Sequence, residues 1–171
     1  VTFQSTTGNP DSVKLSPSAN NFVVNFQNAS YISFRNMTFN QPTVAYDGLV
    51  FSGSTSSYDT IYNCKITLPI QTNTSYCVNS TGAYINNIVL RKNIITGGYF
   101  GMYFYNTTTP YVGKNCVIDS NTLQNQYYYQ IYCYYNSVNF KFRNNTINVN
   151  GTSGSGYVYC YYPDSAYEFG N

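Results

Sequence analysis

The sequence predicts an all-β solenoid, and two periodicities in the 171-residue chain support that prediction. The longer one is a pair of apolar residues, five positions apart with polar residues between them, that recurs every 24–29 residues. Its copies are Phe34/Phe39, Ile61/Ile66, Leu90/Ile95, Ile118/Leu123 and Phe142/Ile147. The shorter one is the alternation of apolar and polar residues around each pair, as at Ile88 and Leu90, which is the spacing of a β-strand.

Each repeat contains further strand signals in a constant order. A second run of alternating residues recurs at 48–52, 76–80, 101–105, 130–134 and 157–161. Short apolar stubs directly after the pairs, at 39–41, 66–68 and 147–149, predict a third strand. Three strands per coil, joined by turns rich in Asn, Gly, Ser and Pro, indicate a right-handed parallel β-helix. Equivalent residues of such coils stack about 4.8 Å apart.

The aligned columns of residues support this fold. Two columns suit a dry interior: Leu49, Cys77, Met102, Ile131, Val158 and Phe51, Asn79, Phe104, Cys133, Cys160. A third column mixes apolar residues with Asn: Met37, Cys64, Asn93, Asn121, Asn145. We expect its Asn side chains to turn inward at a strand bend and to bond to one another and to turn backbone, because a buried amide needs such partners.

The repeats run through the whole chain, so residues 1–171 are predicted to form a single β-helix segment. A β-helix needs capped ends, since its last coil presents open strand edges. No amphipathic helix precedes the first coil, and the final residues stop in mid-pattern. We therefore expect an excerpt of a longer solenoid, or a segment capped by another copy or partner.

Composition argues against several functional classes. The net charge of +2 is too small to favour a nucleic-acid partner. No apolar run reaches the roughly 18 residues of a membrane span, so no membrane insertion is expected. The chain has no His, the commonest general base and zinc ligand, and no metal or cofactor is expected. The five Cys form no CxxC pair and are interpreted as small core residues, with disulfide pairing left open.

Tyrosine dominates one predicted outer surface. The outward columns of the second strand are Val50, Val78, Tyr103, Tyr132, Tyr159 and Ser52, Ser80, Tyr105, Tyr134, Tyr161. Six Tyr on one flat face can stack on sugar rings or pack against another protein surface, because Tyr combines apolar area with a hydroxyl group. The alternative is that Tyr simply suits exposed strands and stacks on itself from coil to coil.

The first strand carries a charged outer column that includes Arg91, Asp119 and Arg143. Its simplest interpretation is a charge ladder, in which exposed pairs contribute roughly 0–1 kcal/mol each. The alternative is a catalytic or anionic-glycan groove of the kind found in polysaccharide lyases built on this fold. By the predicted columns no two of the six carboxylates come together, so neither a calcium site nor a pair of catalytic carboxylates is visible, and an enzyme is not favoured.

Two segments carry a more specific resemblance. The run VTFQSTTGNPDSV at 1–13 and the run ASYISFRNMTF at 29–39 resemble β-helix segments of large secreted proteins of Bacteroidetes-type bacteria. The resemblance implies a secreted or cell-surface protein exported by a type IX route. It implies no one activity, because adhesins, fibres and polysaccharide lyases share such segments. The triplets starting at Asp11, Asp59 and Asp164 are similar to the O-glycosylation signal of such proteins, which points to Ser12, Thr60 and Ser165 as glycan acceptors.

Together these features predict an extracellular structural or adhesive module of a surface fibre or large adhesin, which assembles or attaches through its Tyr-rich face. Its expected partners are other copies or other segments of the parent protein, and possible glycans. The alternative is a carbohydrate-active β-helix, either similar to polysaccharide lyases or purely glycan-binding.

Overall fold

The computed structural model describes residues 1–18, 21–106, 113–134, 137–149, 156–161 and 168–170, and almost all of its regular structure is β-strand. A 3-10 turn, Pro10–Ser12, begins after Asn9, whose side chain accepts a hydrogen bond from the backbone nitrogen of Asp11. The strands in chain order are β1 Thr2–Gln4, β2 Lys14–Leu15, β3 Phe22–Gln27, β4 Ser33–Arg35, β5 Thr38–Asn40, β6 Asp47–Ser52, β7 Thr55–Ser57, β8 Thr60–Tyr62, β9 Lys65–Thr67, β10 Tyr76–Asn79, β11 Tyr84–Asn86, β12 Val89–Arg91, β13 Ile94–Thr96, β14 Phe100–Tyr105, β15 Gly113–Lys114, β16 Val117–Asp119, β17 Thr122–Gln124, β18 Tyr129–Tyr134, β19 Ser137–Val138, β20 Lys141–Arg143, β21 Thr146–Asn148, β22 Gly156–Tyr161 and β23 Glu168–Gly170.

These strands form four parallel sheets. Sheet 1 contains β1, β4, β8, β12, β16, β20 and β23; sheet 2 contains β2, β5, β9, β13, β17 and β21; sheet 3 contains β3, β6, β10, β14, β18 and β22; sheet 4 contains β7, β11, β15 and β19. Successive strands of the chain belong to different sheets, and each strand pairs with its equivalent in the coils before and after it. The predicted parallel β-helix is therefore confirmed.

The three predicted strands of each coil lie in sheets 1, 2 and 3. Sheet 4 is additional and was not expected, because its strands are short and some are wholly polar. The first of them, Thr55–Ser57, has the sequence TSS and shows no apolar alternation. It pairs in register with Tyr84–Asn86 through backbone hydrogen bonds, which do not depend on side-chain type.

The corner between sheets 1 and 2 repeats in every coil. One residue per coil there has a left-handed backbone, with φ between 50° and 57°: Asn36, Asn63, Lys92, Ser120 and Asn144. Asn tolerates this conformation better than most residues, which explains its frequency at the corner. The next residue of each coil turns inward, and this places Asn93 and Asn121 in the interior as predicted, each 1% exposed.

The interior is a stack of apolar side chains from sheets 1, 2 and 3. The buried columns include Phe34, Ile61, Leu90, Ile118, Phe142 from sheet 1 and Phe39, Ile66, Ile95, Leu123 from sheet 2. Each column repeats like residues from coil to coil, so the core is continuous along the axis. All five cysteines are free thiols; Cys160 is half-buried and the others are buried.

The predicted register of β10 is wrong by one residue. Val78, not Cys77, pairs with Leu49 and Met102, so Val78 is buried rather than outward. Asn79 consequently lies in the outward column beside Val50 and Tyr103, where neighbouring side chains leave it only 8% exposed, and Ser80 is buried in its place in the interior. The alternation fails because this strand places two successive residues, Cys77 and Val78, in the interior, as a bulged strand does.

The last coil departs from the expected interior in another way. Val158 pairs with Ile131 as predicted but is 38% exposed, because β22 is the edge strand of sheet 3.

Candidate functional site

The candidate site is a surface of aromatic side chains on the outer side of sheet 3 and the turns that precede its strands. We call it the aromatic face. Its described members are Tyr76, Tyr99, Phe100, Tyr103, Tyr105, Tyr127, Tyr128, Tyr129, Tyr132, Tyr134 and Tyr159. Phe100 is buried beneath its neighbours and the other members are half-buried, so the rings cover one another yet remain accessible from one side.

Rings in register stack along the axis. Tyr103 and Tyr132 are nearly parallel, with ring centroids 4.9 Å apart and an interplanar angle of 13°. Tyr132 and Tyr159 repeat this arrangement at 4.8 Å and 10°. The second column repeats it at Tyr105 and Tyr134, 5.2 Å apart. Four of the six predicted residues therefore stack in pairs, and Tyr159 extends the first column by one rung.

Tyr161, the sixth predicted residue, pairs with Tyr134 through its backbone, and its side chain lies outside the described residues. The two columns are linked sideways between Tyr103 and Tyr105, whose ring centroids lie 5.6 Å apart. The result is a surface of rings two columns wide rather than a single stripe.

A third column of the face was not predicted. Tyr76, Phe100 and Tyr129 occupy one register position, and the ring of Phe100 lies 5.3 Å from Tyr76 and 6.0 Å from Tyr129. Strict alternation from Met102 would direct Phe100 inward. The intervening Gly101 faces the interior instead, and this turns Phe100 outward onto Tyr103 and Tyr132. Glycine within a strand marks such a bulge and was the available signal.

The hydroxyl groups of Tyr76, Tyr103 and Tyr132 stay protonated over the physiological range. Burial among neighbouring rings raises the pKa of Tyr76 to about 12. Burial, together with the adjacent tyrosines, also raises the pKa of Tyr103 and of Tyr132 well above the ordinary value. These hydroxyls can therefore donate as well as accept hydrogen bonds.

One carboxylate borders the face. Asp47 lies below Tyr76 in the register, and its Oδ1 accepts a hydrogen bond from the backbone nitrogen of Tyr76 at 2.9 Å. Its Oδ2 accepts one from Asn79 Nδ2, also at 2.9 Å. Burial raises the pKa of Asp47 despite these two hydrogen bonds. The face thus has a polar margin in the coil where its aromatic columns begin.

The charged column on sheet 1 has the predicted register, with Asp119 between Arg91 and Arg143. Asp119 Oδ2 lies 3.0 Å from Arg91 Nε and 3.7 Å from Arg143 Nε, as ion pairs without hydrogen-bond alignment. Its Oδ1 accepts hydrogen bonds from Ser120 Oγ and Asn144 Nδ2, at 3.0 and 3.1 Å. Burial acts to raise the pKa of Asp119, but these hydrogen bonds and the two Arg outweigh it and lower that pKa.

Both oxygens of Asp119 therefore have partners, and its charge is offset by its neighbours. A carboxylate with a lowered pKa is a poor proton donor near neutral pH. The geometry is that of a charge ladder.

Comparison with known families identifies the fold. The family model described as the right handed beta helix region matches residues 11–165. The chain belongs to the right-handed β-helix family. No curated protein and no solved structure matches it at a significant level.

The three candidate glycan acceptors of this β-helix differ in how exposed they are. Ser12 is exposed, and its Oγ accepts a hydrogen bond from Thr7 Oγ1. Thr60 is half-buried on β8, and the adjacent Asp59 is fully buried, so that triplet is not freely presented by the folded chain. Ser165 lies outside the described residues.

Within the described ranges of this β-helix, no group of three or more His, Cys, Asp or Glu residues is placed to hold a metal ion. No helix in the described part of the chain is long and apolar enough to cross a membrane.

Proposed function

We propose that this β-helix is a structural or adhesive module of a secreted or cell-surface protein, a surface fibre or large adhesin, and that its aromatic face makes the contacts of assembly or attachment. The observation that carries the proposal is the continuous stacking of Tyr103, Tyr132 and Tyr159 beside the second column formed by Tyr105 and Tyr134. Rings held in this way present a flat, preordered surface, so little side-chain entropy is lost when a partner packs on it.

The charge distribution supports the same function. In the outward columns of sheet 3, Asp47 is the one charged residue among those described. A broad aromatic surface with few charges resembles the core of a protein interface, where charged residues are depleted and Tyr is enriched. The resemblance of residues 1–13 and 29–39 to Bacteroidetes surface proteins supports an extracellular location and export by a type IX route.

The test is to replace Tyr103, Tyr132 and Tyr159 together with Ser. We expect the triple variant to lose self-association in sedimentation velocity, or attachment to cell surfaces, while its circular dichroism stays that of a β-fold. The matched control is Tyr31→Ser with Tyr58→Ser, since these rings also stack, 4.8 Å apart, but lie outside the face and are 65% and 51% exposed. If association and attachment both survive the triple substitution, the aromatic face is ordinary exposed strand surface with no role in binding.

Glycan binding is the second candidate function, and the polar margin formed by Asp47 and Asn79 next to Tyr76 favours it. A sugar needs a ring to stack on and polar groups at its edge, whereas a protein partner needs mainly apolar area. Replacing Tyr103, Tyr132 and Tyr159 with Phe separates the two. We expect the Phe variant to keep protein association, and to lose binding in polysaccharide affinity electrophoresis if the ligand is a glycan.

A further inference from the structure

Two of the five cysteines differ from the rest in their surroundings. The thiols of Cys64, Cys77 and Cys116 lie 3.3–3.8 Å from backbone carbonyl oxygens and have no cysteine as a hydrogen-bond partner. Cys133 and Cys160 are instead neighbours in the stack, as partners in register on β18 and β22.

The Cα separation of this pair permits a disulfide bond. Residues in register on neighbouring parallel strands point to the same side of the sheet and lie about 4.8 Å apart. That separation falls within the span of roughly 4.4–6.8 Å between the Cα atoms of disulfide-bonded residues.

The two thiols also differ in exposure and in pKa, and both differences favour thiol–disulfide exchange at Cys160. Cys160 is half-buried and reachable from solvent, while Cys133 is only 2% exposed. The neighbouring thiol of Cys133 lowers the pKa of Cys160, and burial raises the pKa of Cys133. The accessible sulfur is therefore the one that ionises first, and the thiolate is the nucleophile in thiol–disulfide exchange.

We propose that Cys133 and Cys160 form a redox-active pair that a small disulfide such as glutathione disulfide oxidises to an intramolecular disulfide. The Cys160 thiolate attacks one sulfur of the small disulfide, whose S–S bond breaks, and one small thiolate leaves. Cys133 then loses its proton to solvent and attacks the Cys160 sulfur, expelling the second small thiolate. Two protein thiols are oxidised, and one small disulfide is reduced to two thiols, so the electrons balance.

The bond would tie β22 to β18. These strands carry Tyr159 and Tyr132, so the cross-link fixes the last described rung of the aromatic face. The proposal itself does not depend on what binds that face.

The test counts thiols. The full chain is incubated with glutathione disulfide, quenched in acid, unfolded and titrated for free thiols, and its peptides are mapped. We expect free thiols to fall from five to three, with a bridge between Cys133 and Cys160 and no bound glutathione. In Cys133→Ser, glutathione should remain attached to Cys160. In the control Cys64→Ser, the bridge should still form.

Three results would overturn the proposal: five free thiols after incubation, a bridge that uses Cys116, or glutathione that stays on Cys160 of the wild-type chain. The wild-type measurement decides the question even if a Ser variant folds poorly. Circular dichroism before and after oxidation shows whether the fold is kept.

Discussion

Asn121 Oδ1 lies 3.0 Å from both the backbone nitrogen and the side-chain nitrogen of Asn93 in the preceding coil. Asn121 Nδ2 in turn donates to the carbonyl oxygen of Leu90 at 2.8 Å and to Asn145 Oδ1 at 3.0 Å. Asn93 and Asn145 repeat parts of this pattern with Ile61 and Ile118. Each Asn therefore satisfies buried backbone groups of a neighbouring coil, so the ladder joins coils together.

Replacing Asn121 with Ala should strongly destabilise the fold. The change leaves the buried backbone nitrogen of Asn93 without its acceptor, and it also removes the hydrogen bonds of Asn121 to Asn93 Nδ2, the carbonyl oxygen of Leu90 and Asn145. An unsatisfied buried group costs about 1–3 kcal/mol, and each further lost hydrogen bond about 0.5–1.5 kcal/mol. We expect the free energy of unfolding, measured in urea, to fall by about 3 kcal/mol or more. The control is Asn148→Ala at an exposed position of β21, expected to change it by less than about 0.5 kcal/mol. Equal effects of the two substitutions would show that the ladder adds nothing beyond ordinary surface residues.

Asp59 should make stability depend on pH with an unusual sign. It is fully buried, its Oδ1 accepts a hydrogen bond from the backbone nitrogen of Ile32 at 2.8 Å, and its Oδ2 has no partner. Burial raises the pKa of Asp59 from 3.8 to about 6. Between these values the folded state holds a proton that the unfolded state releases, so stability falls as the pH rises from about 4 to about 6.

The variant Asp59→Asn should remove this dependence, because Asn keeps an acceptor for Ile32 without a charge. We expect equal stability of the two proteins below about pH 4, and a variant more stable at pH 7 by no more than about 3 kcal/mol. Urea unfolding at a series of pH values measures both. If the free energy of unfolding changes with pH in the same way in the wild type and the variant, Asp59 does not cause the pH dependence.

Gly101→Ala tests the bulge beneath the aromatic face. An added Cβ would lie 2.5 Å from the carbonyl oxygen of Gln130 and 3.1 Å from Leu123 Cδ2. Because backbone cannot move aside cheaply, we expect a loss of about 1–3 kcal/mol in the free energy of unfolding. The comparison is Gly82→Asn, where an added Cβ meets nothing within 4 Å and Asn tolerates the φ of 71°. A neutral Gly101→Ala would mean that the interior can widen at this position.

The sequence was sufficient for the coil, because its signals repeat. The apolar pairs, the second strand and the inward Asn each recur in several coils, so the architecture is predicted correctly even though the register of β10 is not. Two features were missed because they depend on backbone rather than on side-chain type. Sheet 4 contains the polar strand Thr55–Ser57. The bulges at Cys77 and Gly101 reverse the alternation for Val78 and Phe100.

The candidate site could be predicted only where its residues follow strict alternation. Tyr103, Tyr105, Tyr132 and Tyr134 follow strict alternation and stack as columns. The contribution of Phe100 required knowing the bulge. The polar margin at Asp47 required the true register of Asn79, since their hydrogen bond joins residues 32 positions apart.

Asp119 should give the opposite pH dependence to Asp59. Its pKa is lowered in the folded state, so its ionised form stabilises the fold at neutral pH. This contribution begins to be lost as the pH falls below the ordinary carboxyl pKa of about 4 and disappears as the pH passes the lowered pKa of the folded state. The change Asp119→Asn leaves Arg91 and Arg143 without their shared counter-charge. We expect a loss of roughly 1–3 kcal/mol at pH 7, because Asp119 is only 7% exposed, and a smaller loss near pH 3.

The free energy of unfolding in urea is best measured in a protein that also carries Asp59→Asn. That protein lacks the loss of stability with rising pH that Asp59 causes. The control is Asp11→Asn, which breaks an ion pair with Lys65 Nζ at 2.6 Å whose Asp side chain is 60% exposed. An exposed pair of this kind contributes about 0–1 kcal/mol and is screened by salt. We expect the Asp119 effect to exceed the Asp11 effect and to persist in high salt. If salt abolishes both equally, the column on sheet 1 is a solvated row of charges and Asp119 does not join its coils.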